Sequence, residues 1–320
     1  MIIITGKKPE FNRIQTGWFS FDNALADQEG GGYPLGQILE IYGTSGVGKT
    51  TIVHSLAGIL AKETKSNITI ADLEGINTKL MLANLEMQGF DGEVNLVQDK
   101  SDELVLQGML KQIHEKDYSV GILDAIGSIS PVMEQKGDLT DANMGRRAML
   151  MSKFSRRANH ILLNDGTKNF IMINHQHPNM GGFGNVQPGG KTKGYVSSIR
   201  IVVYRMRRKN KEELFKDGSY VIRGKVEKNR WGFRDREFYL FVLAGKGVHQ
   251  GLTAMYNAVI LKLATAGKTI TIGDTSFGKL SDLTNQAQLG NDEFFQPFHD
   301  VLHNATIIEE EIEEEEEENE

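Results

Sequence analysis

The sequence predicts an α/β protein: a mostly parallel, twisted sheet with helices on both faces, followed by a small α+β domain and an acidic tail. Three observations carry that prediction. Apolar runs rich in Ile, Leu and Val recur through the first two thirds of the chain, amphipathic stretches of helical length separate the early ones, and one strong run empties into a glycine-rich turn that opens a helix. Near-continuous apolar strands alternating with helices are what a sheet buried on both faces requires.

Taken in order, strands are expected at 37–42, 67–71, 94–97, 120–123, 170–173 and 198–204, and helices at 50–63, 78–87, 102–115 and 147–163. The runs at 220–228 and 237–243 have no long helix between them, so the sheet should end in an antiparallel section. Beyond Gly247 the pattern shortens to a helix at 252–264, a hairpin at 269–277 and a helix at 292–303. The expected division is a segment 1–13 able to add as a strand to a neighbour's sheet edge, a core 14–248, a small domain 249–306 and a tail 307–320.

Composition narrows the chemistry. Cysteine is absent, which excludes disulfides, thiolate metal sites and cysteine nucleophiles. The opening MIIIT is too short for a signal peptide and no stretch approaches the roughly 20 apolar residues of a membrane span, so a cytoplasmic protein is expected. Residues 309–320 hold ten glutamates; without them the net charge of −6 becomes +4 for residues 1–308, a mildly basic body. Such a block of like charge repels itself, and it reads either as a solubilising tail or as a polyanion competing for a cationic groove.

The sharpest motif is GTSGVGKT at 43–50, placed after the apolar run ILEIY and before a helical stretch. That setting identifies a Walker A phosphate loop. Gly43, Thr44, Ser45, Gly46, Val47 and Gly48 would turn backbone N–H groups around phosphate oxygens, Lys49 would supply a point charge, and Thr50, followed by Thr51, would offer its hydroxyl to Mg²⁺. Asp124 closes the run GILD, the place of the second magnesium anchor. Glu74 follows the strand of ITIADLEG, where strand ends line the ligand crevice of an open sheet. It is the candidate for orienting the attacking water, with Asp72 on the same edge.

Several stretches together resemble the RecA family of DNA strand-exchange recombinases. The lead-in IQTGWFSFDNALADQEGGGYPLGQILEIYGTSGVGKTT, the DLE at 72–74, GDLTDANMGRRAMLMSKFSRRA, INHQHPNMGGFGNVQPGGKTKGYVSSIRI and KVEKNRWGFRDREFYLFVLAGKGV are each similar to the family's patterns, over most of 13–305. The resemblance implies a RecA-like P-loop NTPase core using ATP and Mg²⁺, and an ATP-dependent protein that forms filaments on single-stranded DNA and pairs it with duplex DNA. Helper proteins that bind single strands or load the filament are implied as well.

Two DNA-binding loops are implied at about 134–145 and 176–190. Glycines at Gly181, Gly182 and Gly184 beside Asn185 let backbone approach phosphates, while Met144 and Phe183 suit insertion between bases. Arg146, Arg147 and Arg156, with Arg157, follow the first loop, and Lys191 and Lys193 flank the second, as cations that track a phosphate backbone. Arg205, Arg207, Arg208, Lys209 and Lys211 form a further cluster, open between a solvated loop and a secondary duplex-binding surface.

In the resembled family the two cations of VEKNR act on the neighbouring subunit's γ-phosphate, which gives that role to Lys228 and Arg230. His175 stands where cellular members carry glutamine, a residue said to sense γ-phosphate, and is similar to phage-encoded members there. Two other readings share the Walker motifs: a hexameric ring ATPase of the same superfamily, helicase-like, and a non-catalytic ATP-binding recombination mediator.

Overall fold

The computed structural model describes residues 12–27, 30–115, 117–132, 146–178, 185–186, 197–207 and 215–305. A short ladder between β1 (Arg13–Ile14) and β2 (Tyr33–Pro34) encloses α1 (Phe19–Ala24). Strands β3 (Ile38–Gly43), β4 (Asn67–Asp72), β5 (Val94–Val97), β6 (Tyr118–Asp124) and β7 (Asn169–His175) follow. Between them lie α2 (Lys49–Glu63), α3 (Thr78–Glu86), α4 (Asp102–His114) and α5 (Arg146–Asn164). After a small pair, β8 (His177–Pro178) with β9 (Asn185–Val186), come β10 (Ile199–Arg205), β11 (Tyr220–Asn229), β12 (Glu237–Leu243) and β13 (Gly247–Val248).

Among the described residues the main sheet has nine strands in the order β13-β12-β11-β10-β3-β7-β6-β4-β5. From β10 to β5 every pairing is parallel, and β11, β12 and β13 are added antiparallel, as the missing helices at that point of the sequence predict.

The alternation of side chains along each strand builds two layers. Leu39 and Ile41 of β3, with Ile171 and Ile173 of β7, pack toward α2 and α3, whereas Ile38, Phe170 and Met172 pack toward α4 and α5. Helix α2 is apolar over most of its circumference because it is covered by both the sheet and α3. Helix α5 needs only one stripe and has it, Met151, Phe154, Ala158, Ile161 and Leu162 at helical spacing. Phe154 meets Phe170 edge to face at 5.9 Å between ring centres. Side chains of this size bring about 1.5–3 kcal/mol each on burial, so β7 is anchored from both faces.

Helix α4 begins where Ser101 accepts the N–H of Leu104, carries Asp102 and Glu103 in its first turn and Lys111 and His114 in its last, and so complements its own dipole. The C-terminal region packs α6 (Gln250–Ile260) on Val221, Phe241 and Leu243, with β14 (Thr265–Ala266), β15 (Ile270–Ile272), β16 (Thr275–Ser276), α7 (Leu280–Gln288) and a helix at 296–305. Three strands form where the pattern predicts a hairpin, and the helix at 280–288 has no counterpart in that pattern. That helix buries Leu283, Thr284 and Ala287 from an otherwise polar stretch, a stripe too narrow to stand out, and its start is held by Asp282 accepting the N–H of Lys279 at 2.8 Å.

Candidate active site

The carboxyl ends of β3, β4, β6 and β7 meet at one edge of the sheet, and the predicted chemistry collects there. Gly43 ends β3 and Lys49 begins α2, so the five-residue turn between strand and helix is closed by α2's own start. Gly48 sits at φ +98° with no side-chain cap on the helix; a Cβ at that position would fall 2.7 Å from Ile222 Cδ1 and 2.9 Å from Tyr220 Oη. Only glycine fits. The first-turn amides of α2 therefore have no side chain to satisfy them, and with the helix dipole they form an anion cradle.

Lys49 is buried across this turn, its Nζ donating to the carbonyls of Gly43 at 3.1 Å and Thr44 at 2.9 Å. Burial lowers its pKa from the ordinary lysine value, against the opposing pull of Glu74 and Asp124. Thr50 Oγ1 donates to Asp124 Oδ2 at 3.3 Å. The other Asp124 oxygen is buried with no hydrogen-bond partner. Burial first, then the charge of Glu74, pushes the Asp124 carboxyl up to about 6. A hydroxyl beside a carboxylate with one unsatisfied oxygen is the donor set that a hard divalent cation takes, so these residues fit Mg²⁺.

Glu74 lies on the turn after β4. Asp72, in register with Asp124, pins that turn by accepting the N–H groups of Glu74, Gly75 and Ile76 at 3.2, 2.8 and 3.1 Å, and the amide of Gln98 at 3.2 Å. Glu74 itself is 36% exposed, with Oε1 accepting from Ser128 Oγ at 2.6 Å and standing 2.9 Å from His175 Nε2. His175 is the register partner of Gly43. The structure thus joins the phosphate turn, the candidate base and His175 in one contact set. No local pattern pairs Glu74 with His175, since 101 residues divide them.

Lys228 and Arg230 are not part of this edge. Lys228 is the register partner of Arg200, and Arg200 of Glu40, two strands across and three residues short of Gly43, hence about 10 Å away in each direction. Lys228 Nζ donates to the carbonyl of Ser197 at 2.6 Å, and burial followed by the nearby Arg230, Arg200 and Arg234 lowers its pKa. Arg230 is exposed.

Of the nucleic-acid candidates, Met144, Gly181, Gly182, Phe183, Gly184, Lys191 and Lys193 lie outside the described residues, as do residues 134–145 and the tail. Asn185 pairs with Pro178 in the β8–β9 ladder. Arg146, Arg147 and Arg156 lie on α5; Arg147 donates to the carbonyl of Gly127 at 3.0 Å, and Arg156 to Ser152 Oγ at 3.1 Å. Arg156 and Arg157 rim a groove of about 600 Å³ between α4 and α5. Of the further cluster, Arg205 ends β10 and stacks over the Tyr220 ring at 4.0 Å, Arg207 follows β10, and Arg208, Lys209 and Lys211 are outside the described residues.

One polar residue next to the site escaped the sequence reading. Glu40 interrupts the apolar strand ILEIY and is fully buried; a charge inside a continuous apolar run was the available signal.

Comparison with known proteins shows the family. The family described as the RecA N-terminal domain matches residues 1–249. Protein RecA of Mycoplasma mobile is 30% identical over 272 residues, covering 82% of this chain and 78% of that protein. Protein RecA of Mycoplasma pneumoniae is 28% identical over 280 residues, 85% of this chain and 77% of that protein. Protein RecA of Bacillus velezensis is 28% identical over 259 residues, 77% and 70% respectively.

Proposed function

The chain belongs to the RecA family, and from that premise we infer that it is an ATP-dependent homologous recombination protein, a DNA-dependent ATPase that coats single-stranded DNA and exchanges strands with a homologous duplex. The observation that carries the reading is the gathering of Lys49, Thr50, Asp124, Glu74 and His175 at one sheet edge while Lys228 and Arg230 stand apart.

The α2 amides and Lys49 bind the phosphates, which requires Lys49 to exchange its two carbonyl partners for phosphate oxygens. Thr50 and Asp124 hold Mg²⁺, which when bound neutralises charge on the phosphates. Glu74 orients the attacking water and takes its proton, and its exposure gives water access. His175, in hydrogen-bond contact with Glu74, ties the start of the second DNA loop to that carboxylate, so nucleotide state and DNA contact bear on the same pair. Lys228 and Arg230 act on the nucleotide of an adjacent copy, since they stand about 10 Å or more from their own phosphate turn.

Met144, Phe183 and the glycines around it hold single-stranded DNA, with Arg146, Arg147, Arg156, Lys191 and Lys193 along its phosphates. Met1–Thr5, ahead of β1, add to a neighbour, and β5, the outer parallel strand among the described residues, is the edge that receives them. Residues 249–306 form the small domain. His175 in place of the glutamine of cellular members supports the phage-encoded branch, acting in the cytoplasm of a bacterial host. Among the described residues no helix is long and apolar enough to cross a membrane.

The deciding experiment measures ATP hydrolysis with and without single-stranded DNA over a dilution series, with negative-stain microscopy of the same samples. Hydrolysis stimulated by DNA and falling per protomer on dilution, with filaments in the images, is expected. A rate indifferent to both DNA and dilution would remove the reading.

A further inference from the structure

On the face of the sheet that packs against α4 and α5, a polar row breaks the apolar pattern. Glu40 shares that face with Ile38 and is fully buried. Its carboxylate accepts hydrogen bonds from Asn174 Nδ2 on β7 at 2.9 Å and from Arg200 Nε on β10 at 3.0 Å, with a longer one from Ser197 Oγ at 3.5 Å. Arg200 in turn lies over the Tyr42 ring at 4.9 Å and 3.9 Å from Glu227. Its register partner Lys228 donates to the carbonyl of Ser197 at 2.6 Å.

The positions of these partners matter more than their number. Asn174 is the penultimate residue of the strand that leads into the second candidate loop and Ser197 precedes the strand that follows it. The residue after Asn174 is His175, in contact with Glu74, and the backbone N–H of His175 donates to Asn174 Oδ1 at 2.9 Å. One buried carboxylate therefore touches both flanks of that loop. Through Ser197 and Arg200 it also reaches Lys228, and through Asn174 it reaches the Glu74–His175 pair.

Stability does not account for it. Burying an ion pair costs desolvation that the mutual attraction offsets only in part, and well-packed apolar residues often serve as well or better. An apolar residue at 40 would leave Asn174 and Arg200 without this acceptor, so the carboxylate fixes where both side chains stand.

We propose that Glu40 is a positioning residue for phosphoryl transfer, holding Asn174–His175 and the Arg200–Lys228 pair in one register so that a protomer's own site and the cations it presents to its neighbour move together. The inference rests on the reading of Lys228 and Arg230 as groups that act on an adjacent copy's nucleotide. The electrostatics agree, because Glu40 is the carboxylate that sustains the charge of Lys228 against three surrounding arginines.

The test is Glu40→Gln, which keeps the shape, still accepts from Asn174 and loses the charge that holds Arg200. Affinity for a fluorescent ATP analogue should stay within about twofold, while kcat in single-stranded DNA falls by about tenfold to a hundredfold, the scale of a displaced catalytic constellation. Because the single variant leaves the partly buried Arg200 without its closest carboxylate, Glu40→Gln combined with Arg200→Met is measured beside it. The double variant should recover the melting temperature and not the DNA-stimulated kcat. Recovery of kcat in the double variant would reduce Glu40 to charge balance and overturn the proposal, and so would a single variant turning over at the wild-type rate. If the wild type itself ignores DNA, the reading of function fails first and this inference with it, a result visible before any variant is made.

Discussion

Asp124 is a carboxylate whose burial weighs on the fold. Its carboxyl, lifted from 3.8 to about 6 by burial and by Glu74, holds a proton more tightly folded than unfolded. Stability therefore falls as pH rises between those two values, and above about 6 the full penalty is present, up to about 3 kcal/mol. Asp22 is raised to about 6 by burial in the same sense, while His54 and His249, lowered by burial to about 4, act oppositely and destabilise the fold as pH falls from 6.5 through 4. Asp124→Asn removes one of the four. Its melting temperature without nucleotide should exceed that of the wild type by about 3–6 °C at pH 8, and the gap should shrink by about half at pH 5. Scanning calorimetry at the two values decides it, and an unchanged or lower value at pH 8 would refute the buried-charge account. The same variant should lose Mg²⁺-dependent hydrolysis.

Among the elements, the strand–turn–helix of β3 and α2 tolerates little at its last glycine. Gly48 adopts a backbone conformation that costs other residues about 1–3 kcal/mol, and its neighbour atoms from β11 stand where a methyl group would go. Gly48→Ala should therefore displace the turn rather than fit into it. Nucleotide affinity should fall by at least about 100-fold, an expected loss of near 3 kcal/mol, while far-UV circular dichroism keeps α2 and the sheet. Binding of ATP at wild-type affinity by this variant would mean that the turn is not the phosphate site. The β11 contact also shows that the antiparallel half of the sheet shapes the phosphate turn of the parallel half.

At the scale of the assembly, the separation of Lys228 from Lys49, Asp124 and Glu74 predicts complementation. Glu74→Gln should bind ATP and hydrolyse it about 10²–10⁴-fold more slowly, the usual loss with a proton-accepting group. Lys228→Ala should be similarly inactive while retaining its own Glu74. In the proposed head-to-tail assembly each site would lie between two unlike surfaces, so an equal mixture should regain about a quarter of the wild-type rate, because a quarter of random junctions would pair an intact Glu74 with an intact Lys228. Activity of the mixture is read against each variant alone at the same total concentration. No gain on mixing would show that both residues serve one protomer's site.

The order of the main strands and helices, the glycine turn that leads into α2, and the strand ends at which Asp124 and Glu74 stand were legible along the chain, because strand alternation, glycine spacing and the residues that close apolar runs are local signals. The helix at 280–288 was not, since its buried stripe is three residues wide and its stability comes from the domain it packs into. The Glu74–His175 contact and the Glu40 network were also beyond local reading: each joins side chains from strands separated by about a hundred residues or more. What the sequence determined by itself was which groups the protein owns and which strand end each occupies. Which of them touch was decided by the tertiary structure, because strand order and register, set by how the whole sheet packs against its two helical layers, put distant residues within hydrogen-bond range.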